Sequence, residues 1–189
     1  MAKRLPDEHE AIEGAGLASA AAGGLLKDAD VLAGVGSYGR AISLAVLGFE
    51  ESVKARTLGA IAASAAMGRQ PGFTDEALRK IIYTGHQERH AAGLMQHLAA
   101  AFPGIYGELM LGMEVSAEGI ATLRELAGIL GAVNAGKQAG FYTDFDPDTG
   151  SWSPPGTATE AEYGKVRTLI GDYVSETQRQ LDDFTQNRP

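Results

Sequence analysis

Histidine is concentrated in one part of this chain, where it could exchange protons with a bound molecule. Three of the four histidines, His86, His90 and His97, follow one another closely, and Arg79 and Tyr83 precede them. Imidazole is the side chain best suited to proton transfer at neutral pH. The planar guanidinium group of arginine can hold a phosphate with two hydrogen bonds. Together, these residue types indicate a candidate site for proton transfer beside a phosphate group.

The spacing of these residues places them on one face of a helix predicted to run from Thr74 to about Phe102. Successive residues of an α-helix are about 100° apart, so these positions fall on one stripe: Arg79, Tyr83, His86, His90, Gly93 and His97. Apolar positions cluster on the opposite side: Leu78, Ile81, Ala92, Met95, Ala99 and Phe102. The helix therefore has a predicted core face and a separate polar face. The polar face is either a functional site or subunit interface, or a solvated surface that happens to contain histidines.

Glu88 falls near the middle of the predicted core face, where a carboxylate needs a cationic partner. The segment 41–49 is apolar nearly all round and is predicted to be the buried part of a second helix. Charged residues follow it directly, and Glu50 and Lys54 form an i,i+4 pair. We predict one buried network made of Glu50, Glu51, Lys54, Glu88 and Arg89. The network either fixes the register of the helices or takes part directly in catalysis.

The elements that position these residues can be placed from the seven prolines, because proline breaks the interior of a helix. We predict helices over about 8–33, 38–67 and 74–102, a fourth from Ser116 and a fifth from Thr159. Aromatic and β-branched residues flank a turn near 141–155, which predicts a short hairpin or ordered loop. The predicted fold is all-α. It is a compact bundle of about five helices forming one domain over 1–189, with 1–7 and 186–189 flexible.

Composition excludes several classes of function. The chain has no cysteine, which rules out thiolate catalysis, disulfides and cysteine-bound zinc. It has no apolar run long enough to cross a bilayer and no secretory signal, so we expect a cytoplasmic protein without membrane contact. The net charge of −8 disfavours broad binding to nucleic acid.

Two short motifs match cofactor or ion sites without the context that those sites need. Residues 34–39 fit the G-x-G-x-x-G dinucleotide pattern, but the segment before them is predicted to be helical rather than a strand. The aspartates in 144–148 suggest a calcium loop, yet Thr149 and Pro155 stand where an EF-hand needs glycine and an acid. We therefore predict a helix–helix turn and an acidic turn, with no cofactor and no bound metal.

Three segments together resemble the AbiV-type abortive infection proteins. The first is the helix pattern A-x-x-L-A-x-x-x-x-E-E-x-x-K, which runs here from Ala41 to Lys54. The second is 86–89, a histidine followed by a basic residue. The third is 141–155, with a Tyr-x-Asp segment and downstream Trp and Pro. The resemblance spans most of residues 25–180.

The resemblance implies bacterial defence against phage by arrest of the infected cell, and an architecture related to the HEPN helical domains. Many of those are metal-independent ribonucleases that act as dimers through an R-x(4–6)-H motif, which Arg79 and His86 fit with six intervening residues. It implies that Arg79 binds the scissile phosphate and that His86 is the general acid or base, with His90 assisting or orienting. The expected partners are RNA and a second copy of the chain. Further positions could contact substrate or line the interface: Tyr83, His97, Lys137, Tyr142 and Asp144.

Two other functions remain compatible with the sequence. A non-catalytic defence protein that binds a phage or host protein would use the polar face for docking, which the acidic charge favours. A metal-dependent hydrolase would use Glu50, Glu51 and His86, since carboxylates and histidine can hold a divalent ion. A chelator would inactivate that hydrolase but not the ribonuclease, whereas the binding protein would turn over no substrate.

Overall fold

The computed structural model describes residues 3–69, 74–124, 140–141, 143–153, 155–156 and 158–187, and these are mostly helical. The elements in chain order are α1 (Glu8–Gly34), α2 (Tyr38–Ala66), α3 (Asp75–Arg79), a π-helical turn (Lys80–Thr84), α4 (His86–Ala101), α5 (Pro103–Met110), α6 (117–124), β1 (Asp144–Asp146), β2 (Ser151–Ser153) and α7 (Glu160–Gln186). The all-α class is confirmed, but the described residues form seven helices rather than about five. The later part of the predicted fourth helix lies outside these residues. None of the described helices is both long and apolar enough to cross a membrane.

α1 and α2 form a hairpin whose contact is the most extensive among the described elements. Asp7 caps α1, because its side chain accepts from the Glu10 backbone N–H while the Glu10 side chain accepts from the Asp7 N–H. The connecting turn contains Gly36 at φ 77°, a conformation that favours glycine. The G-x-G-x-x-G match is therefore the predicted helix–helix turn. The two helices approach closely, since a Cβ on Gly48 would lie only 3.1 Å from the Ala22 carbonyl oxygen.

α7 packs across α1 and α2 and completes the core. It begins at the predicted capping box, in which Thr159 and Glu162 satisfy each other's backbone N–H groups. A polar clamp then joins α7 to α1. Tyr163 Oη donates to Asp30 Oδ1 at 2.6 Å, and Arg167 Nε donates to the same oxygen at 2.8 Å. These hydrogen bonds fix how α7 lies on α1 and α2.

The predicted helix over 74–102 is wrong as one continuous helix. It changes to the π-helical turn after Arg79 and breaks at Gly85, and α4 begins at His86. The Gly85 N–H donates to the Lys80 carbonyl at 2.6 Å, an i→i+5 bond. Such a turn takes up one residue more than an α-helical turn, and one residue corresponds to about 100° around the axis. The spacing of an unbroken α-helix therefore does not hold across the turn.

The hairpin predicted near 141–155 is present as two short antiparallel strands. β1 and β2 pair with Phe145 opposite Trp152. Gly150 in the connecting turn has φ 65°, which a glycine adopts without strain. The acidic run from 144 to 148 thus belongs to one strand and the turn that follows it.

Candidate acid–base site

Glu50 is the centre of the candidate site. It lies on α2 with only 1% of its surface exposed. Its Oε2 is 2.5 Å from His86 Nδ1 and 3.8 Å from Arg89 Nη1, and its Oε1 is 3.1 Å from His90 Nε2. A buried carboxylate is tolerated only when donors or positive charge compensate it. Two histidines and one arginine from the start of α4 supply that compensation.

His86 is the member of this cluster that solvent can reach. It is the first residue of α4, directly after the break at Gly85, and 57% of its side chain is exposed. When Glu50 is ionised it can only accept hydrogen bonds, so Nδ1 is then the nitrogen that donates to it. Nε2 is then the basic nitrogen, and it has no hydrogen-bond partner among the described residues. This is an oriented imidazole that can take up or release a proton.

His90 and Arg89 hold Glu50 from inside the protein. His90 is 7% exposed, and its ring packs at 6.0 Å from the ring of Phe49. Arg89 Nε donates to the Ile81 carbonyl at 2.7 Å, and Nη2 donates to the Ile82 carbonyl at 3.3 Å. The arginine therefore satisfies carbonyls of the π-helical turn while keeping its charge near Glu50. Its side chain stabilises the break that exposes His86.

The predicted network of five charged residues is not a single cluster. Glu50 belongs to the group just described, together with Arg89. Lys54 Nζ lies 2.6 Å from Glu51 Oε2, and both side chains are 24% exposed. The Glu88 carboxylate lies against Gly85, where it would overlap any added Cβ. Neighbouring positions on a helix point about 100° apart, so Glu50 and Glu51 face different sides of α2.

Arg79 and Tyr83 are bound by the N-terminal segment rather than joined to His86. Arg79 Nε donates to the Lys3 carbonyl at 2.7 Å, and its Nη2 is 3.4 Å from Asp75 Oδ2. Tyr83 Oη donates to the Arg4 carbonyl at 2.8 Å, and Lys3 Nζ stands 4.9 Å from the centre of the Tyr83 ring. The two members of the R-x(4–6)-H match therefore have separate partners in this structure.

Of the remaining predicted positions, His97 and Asp144 lie in different elements. His97 packs edge-on against Phe102 at 6.0 Å, and burial, with a smaller effect of the Arg56 charge, lowers the pKa of its imidazole. Asp144 is the first residue of β1. Lys137 and Tyr142 lie outside the described residues. His97 therefore contacts Phe102 and is not bonded to Glu50.

The predicted polar stripe is wrong at His90 and Gly93, whereas Tyr83 and His86 are exposed as predicted. The predicted core positions Leu78, Ile81 and Ala92 are buried. His90 faces α2 instead of solvent, and a Cβ on Gly93 would lie 2.4 Å from Phe49 Cζ and 2.8 Å from Val53 Cγ2. On the supposed core side, Ala99 and Phe102 are exposed whereas Leu98 is fully buried. The direct Glu50–His86 bond was not predicted. The E-E-x-x-K pattern was visible in the sequence, but the helix start at His86 was not.

The inward position of Gly93 gives a test of this correction through the free energy of unfolding. Gly93→Ala should destabilise the protein by about 1–3 kcal/mol, because the new methyl group meets Phe49 and Val53. On an exposed helix face the same change should stabilise it by up to about 1 kcal/mol. Gly164→Ala is the control, because its added Cβ meets nothing within 4 Å. Urea unfolding of the two variants measures the change in the free energy of unfolding, which should be destabilising for Gly93→Ala and stabilising for Gly164→Ala. Stabilisation by both variants would contradict the inward placement.

The N-terminal segment should become more accessible when its anchor is weakened. The Arg4 guanidinium pairs with both Glu10 oxygens, and its hydrogen bonds lower the pKa of Glu10 to about 2. The pair is therefore fully charged at the pH of a trypsin digestion. Glu10→Gln keeps the capping geometry but removes the charge, so trypsin should cut the bond after Arg4 several-fold faster. Mass spectrometry of timed digests measures this, with Glu13→Gln as the control, and equal rates would show that the pair does not hold the segment.

Comparison with known proteins assigns the chain to a family model. Residues 10–170 match HEPN_AbiV, which is described as AbiV. The matched region contains Glu50, His86, Arg89 and His90, so it includes the whole acid–base cluster. No curated protein and no solved structure matches the chain.

Proposed function

The chain belongs to the AbiV family of HEPN domains, and from this premise we propose that it is a metal-independent ribonuclease that acts as a homodimer in abortive infection. The family membership supports the HEPN-type architecture and the abortive-infection context. Cleavage of RNA and dimerisation are the parts that we add. The observation that carries the proposal is the exposed His86 imidazole, oriented by the buried Glu50 carboxylate at 2.5 Å.

The proposed reaction uses His86 as the general base. Its Nε2 takes the proton of an RNA 2′-hydroxyl, and the 2′-oxygen attacks the adjacent phosphorus. The new O2′–P bond replaces the P–O5′ bond, which gives a 2′,3′-cyclic phosphate and a 5′-hydroxyl end. Glu50 keeps the imidazole in the required tautomer and stabilises its protonated form, as a carboxylate does in other histidine-dependent sites. The reaction consumes no metal or external oxidant.

Phosphate binding is the proposed role of Arg79. One edge of its guanidinium group is held by the Lys3 carbonyl and by Asp75, and 34% of the side chain is exposed. Arg89 is less suited, because only 10% of its side chain is exposed and its donors already bond to Ile81 and Ile82. Arg79 could approach a phosphate near His86 after the N-terminal segment shifts.

A second copy of the chain would supply the proton for the leaving oxygen. His90 is a positioning residue in this proposal, because it is buried and bonded to Glu50. The P–O5′ bond breaks more readily when an acid protonates O5′. An imidazole on the opposite side of the phosphate, from His86 of the partner subunit, would fill that role across a two-fold axis.

The test is cleavage of purified transfer RNA and total RNA by the purified full-length chain in EDTA. We expect discrete fragments with 2′,3′-cyclic phosphate and 5′-hydroxyl ends, which end-specific labelling distinguishes from 5′-phosphate products. Cleavage that appears only after divalent metal is added would replace this mechanism with a metal-dependent one. Absence of cleavage in both conditions would contradict the ribonuclease proposal and favour a non-catalytic defence protein that binds a phage or host protein. Light scattering at the same concentration tests the dimer separately.

A further inference from the structure

A recess lies between α1, α2 and the π-helical turn. Its volume is about 400 Å³, within the range of small-molecule sites. The residues that line it are mainly apolar or small, with one aromatic ring and one ion pair. They include Leu17, Leu58, Glu51, Lys54, Ile82 and Tyr83. The proposed reaction uses none of these side chains.

The Tyr83 ring separates this recess from a neighbouring one that is basic. Tyr83 lines both, and the neighbouring recess also contains Lys3, Arg4 and Glu10. The Tyr83 hydroxyl donates a hydrogen bond to the Arg4 carbonyl, and the Lys3 ammonium group lies against the Tyr83 ring. The ring is therefore fixed in place, with cationic side chains next to it and 36% of the residue exposed. A fixed, partly exposed aromatic ring beside positive charge is the arrangement on which nucleobases stack.

The ion pair between Glu51 and Lys54 does not use all the hydrogen-bonding groups of these two side chains, which line the recess. Glu51 uses Oε2 for the ion pair, and within the described residues Oε1 accepts no hydrogen bond. The Lys54 ammonium group has three N–H bonds, of which the pair needs one. An acceptor and a donor thus stand side by side. The Watson–Crick edge of every nucleobase offers the complementary pair, an N–H donor beside an acceptor atom.

We propose that this recess is a nucleobase subsite, in which one base of RNA stacks on Tyr83 and hydrogen-bonds through its Watson–Crick edge to Glu51 and Lys54. The inference deepens the proposed ribonuclease function and rests on it for the identity of the ligand as RNA. The recess is connected to the acid–base cluster through the π-helical turn, because Ile82 lines the recess and its carbonyl accepts a hydrogen bond from Arg89. The phosphate of the bound nucleotide would lie toward Lys3 and Arg4, which reduces the repulsion expected from a chain of net charge −8.

Binding of mononucleotides tests the subsite without requiring catalysis. Isothermal titration calorimetry of the full chain would compare GMP, AMP, CMP and UMP with ribose 5-phosphate, which has the phosphate but no base. We expect at least one nucleotide to bind about tenfold more tightly than ribose 5-phosphate, the gain typical of base–aromatic stacking. Equal affinity for all five ligands would show a phosphate site only and overturn the inference.

Matched variants assign that binding to the recess. Tyr83→Leu removes the ring and should weaken nucleotide binding about tenfold, whereas Tyr83→Phe keeps the ring and should retain it. Lys54→Met should weaken binding more than Lys80→Met, which removes the same charge from an exposed lysine paired with Glu76 outside the recess. Circular dichroism melting verifies that each variant is folded. Unchanged binding in both Tyr83→Leu and Lys54→Met would overturn the assignment.

Different experimental results would contradict the nucleobase subsite and the ribonuclease function. Nucleotide binding that depends on Tyr83, without any cleavage of RNA, would keep the subsite and overturn the ribonuclease. Cleavage that depends on His86, with no nucleotide binding that depends on Tyr83, would keep the ribonuclease and overturn the subsite. His9→Ala should bind nucleotides as the unmodified chain does, because His9 lines neither recess.

Discussion

Replacement of His86 by alanine should lower the rate of RNA cleavage by about 10²- to 10⁴-fold, the range that general acid–base catalysis contributes. The imidazole is the exposed partner of the buried Glu50 carboxylate, and no other described side chain takes its place there. Alanine favours helix formation, and 57% of the lost side chain is exposed. The loss of activity should therefore occur without loss of the fold.

The measurement is the initial rate of cleavage of one RNA in EDTA, with circular dichroism melting as the check on folding. His9→Ala is the matched control, because His9 is an exposed histidine on α1 that lies far from Glu50 in sequence and belongs to neither recess. We expect that control to cleave at the rate of the unmodified chain. Equal activity of His86→Ala and His9→Ala would remove His86 from the mechanism and, with it, the observation on which the proposed function depends.

Replacement of Glu50 by alanine should lower the free energy of unfolding by about 3–5 kcal/mol, the cost of removing one partner from a buried ion pair. Arg89 would keep its charge in a site where it is only 8% exposed, and His90 would lose its acceptor. The cost is large because water cannot replace the missing carboxylate at these positions. Activity should fall as well, since His86 would no longer be oriented.

The adjacent glutamate supplies the control for this second prediction. Glu51→Ala removes the same charge from the next position of the same helix, where the Glu51–Lys54 pair is 24% exposed. A partly exposed pair contributes at most about 1 kcal/mol. Urea unfolding of both variants, followed by circular dichroism, measures the difference. Similar destabilisation by Glu50→Ala and Glu51→Ala would contradict the central position of Glu50 in the buried cluster.

The His86 and Glu50 variants distinguish an effect on catalysis from an effect on the stability of the fold. His86→Ala should lose activity and keep stability, whereas Glu50→Ala should lose both. Glu50→Gln lies between them, because the amide can still accept hydrogen bonds but carries no charge to stabilise a protonated imidazole. We expect it to unfold at a denaturant concentration nearer to the unmodified chain than Glu50→Ala does, and to cleave RNA slowly.

Local sequence determined the ends of helices and the turns. The Asp7–Glu10 and Thr159–Glu162 boxes begin α1 and α7, and the structure contains both. Residues 35–37 form a turn between α1 and α2, and Gly36 in that turn has positive φ. These features depend on side chains that bond to backbone groups a few residues away, so a short stretch of sequence contains all the information needed. The family resemblance rested on three segments in a fixed order, and the match to the AbiV family model confirms it.

Tertiary structure alone decided the geometry of the site. Periodicity treated 74–102 as one helix, because nothing in the spacing marks an i→i+5 bond. That turn is stabilised by Arg89, whose guanidinium group bonds to the Ile81 and Ile82 carbonyls. The register shift at Gly85 turns His90 inward and leaves His86 exposed at a helix start. A helical pattern extrapolated across such a break can assign the wrong face to residues beyond it, as it did for His90 and Gly93.

Tertiary packing also decided that Glu50 pairs with His86 and that Arg79 does not. Glu50 reaches α4 because the helices pack with this residue inside, and sequence spacing does not specify which of two adjacent glutamates points inward. Arg79 bonds to Lys3, a residue far from it in sequence. The sequence determined that acids, histidines and arginines were available on helices of an AbiV-type fold. Packing between those helices decided which of them meet, because contact between distant segments depends on the whole core rather than on local periodicity.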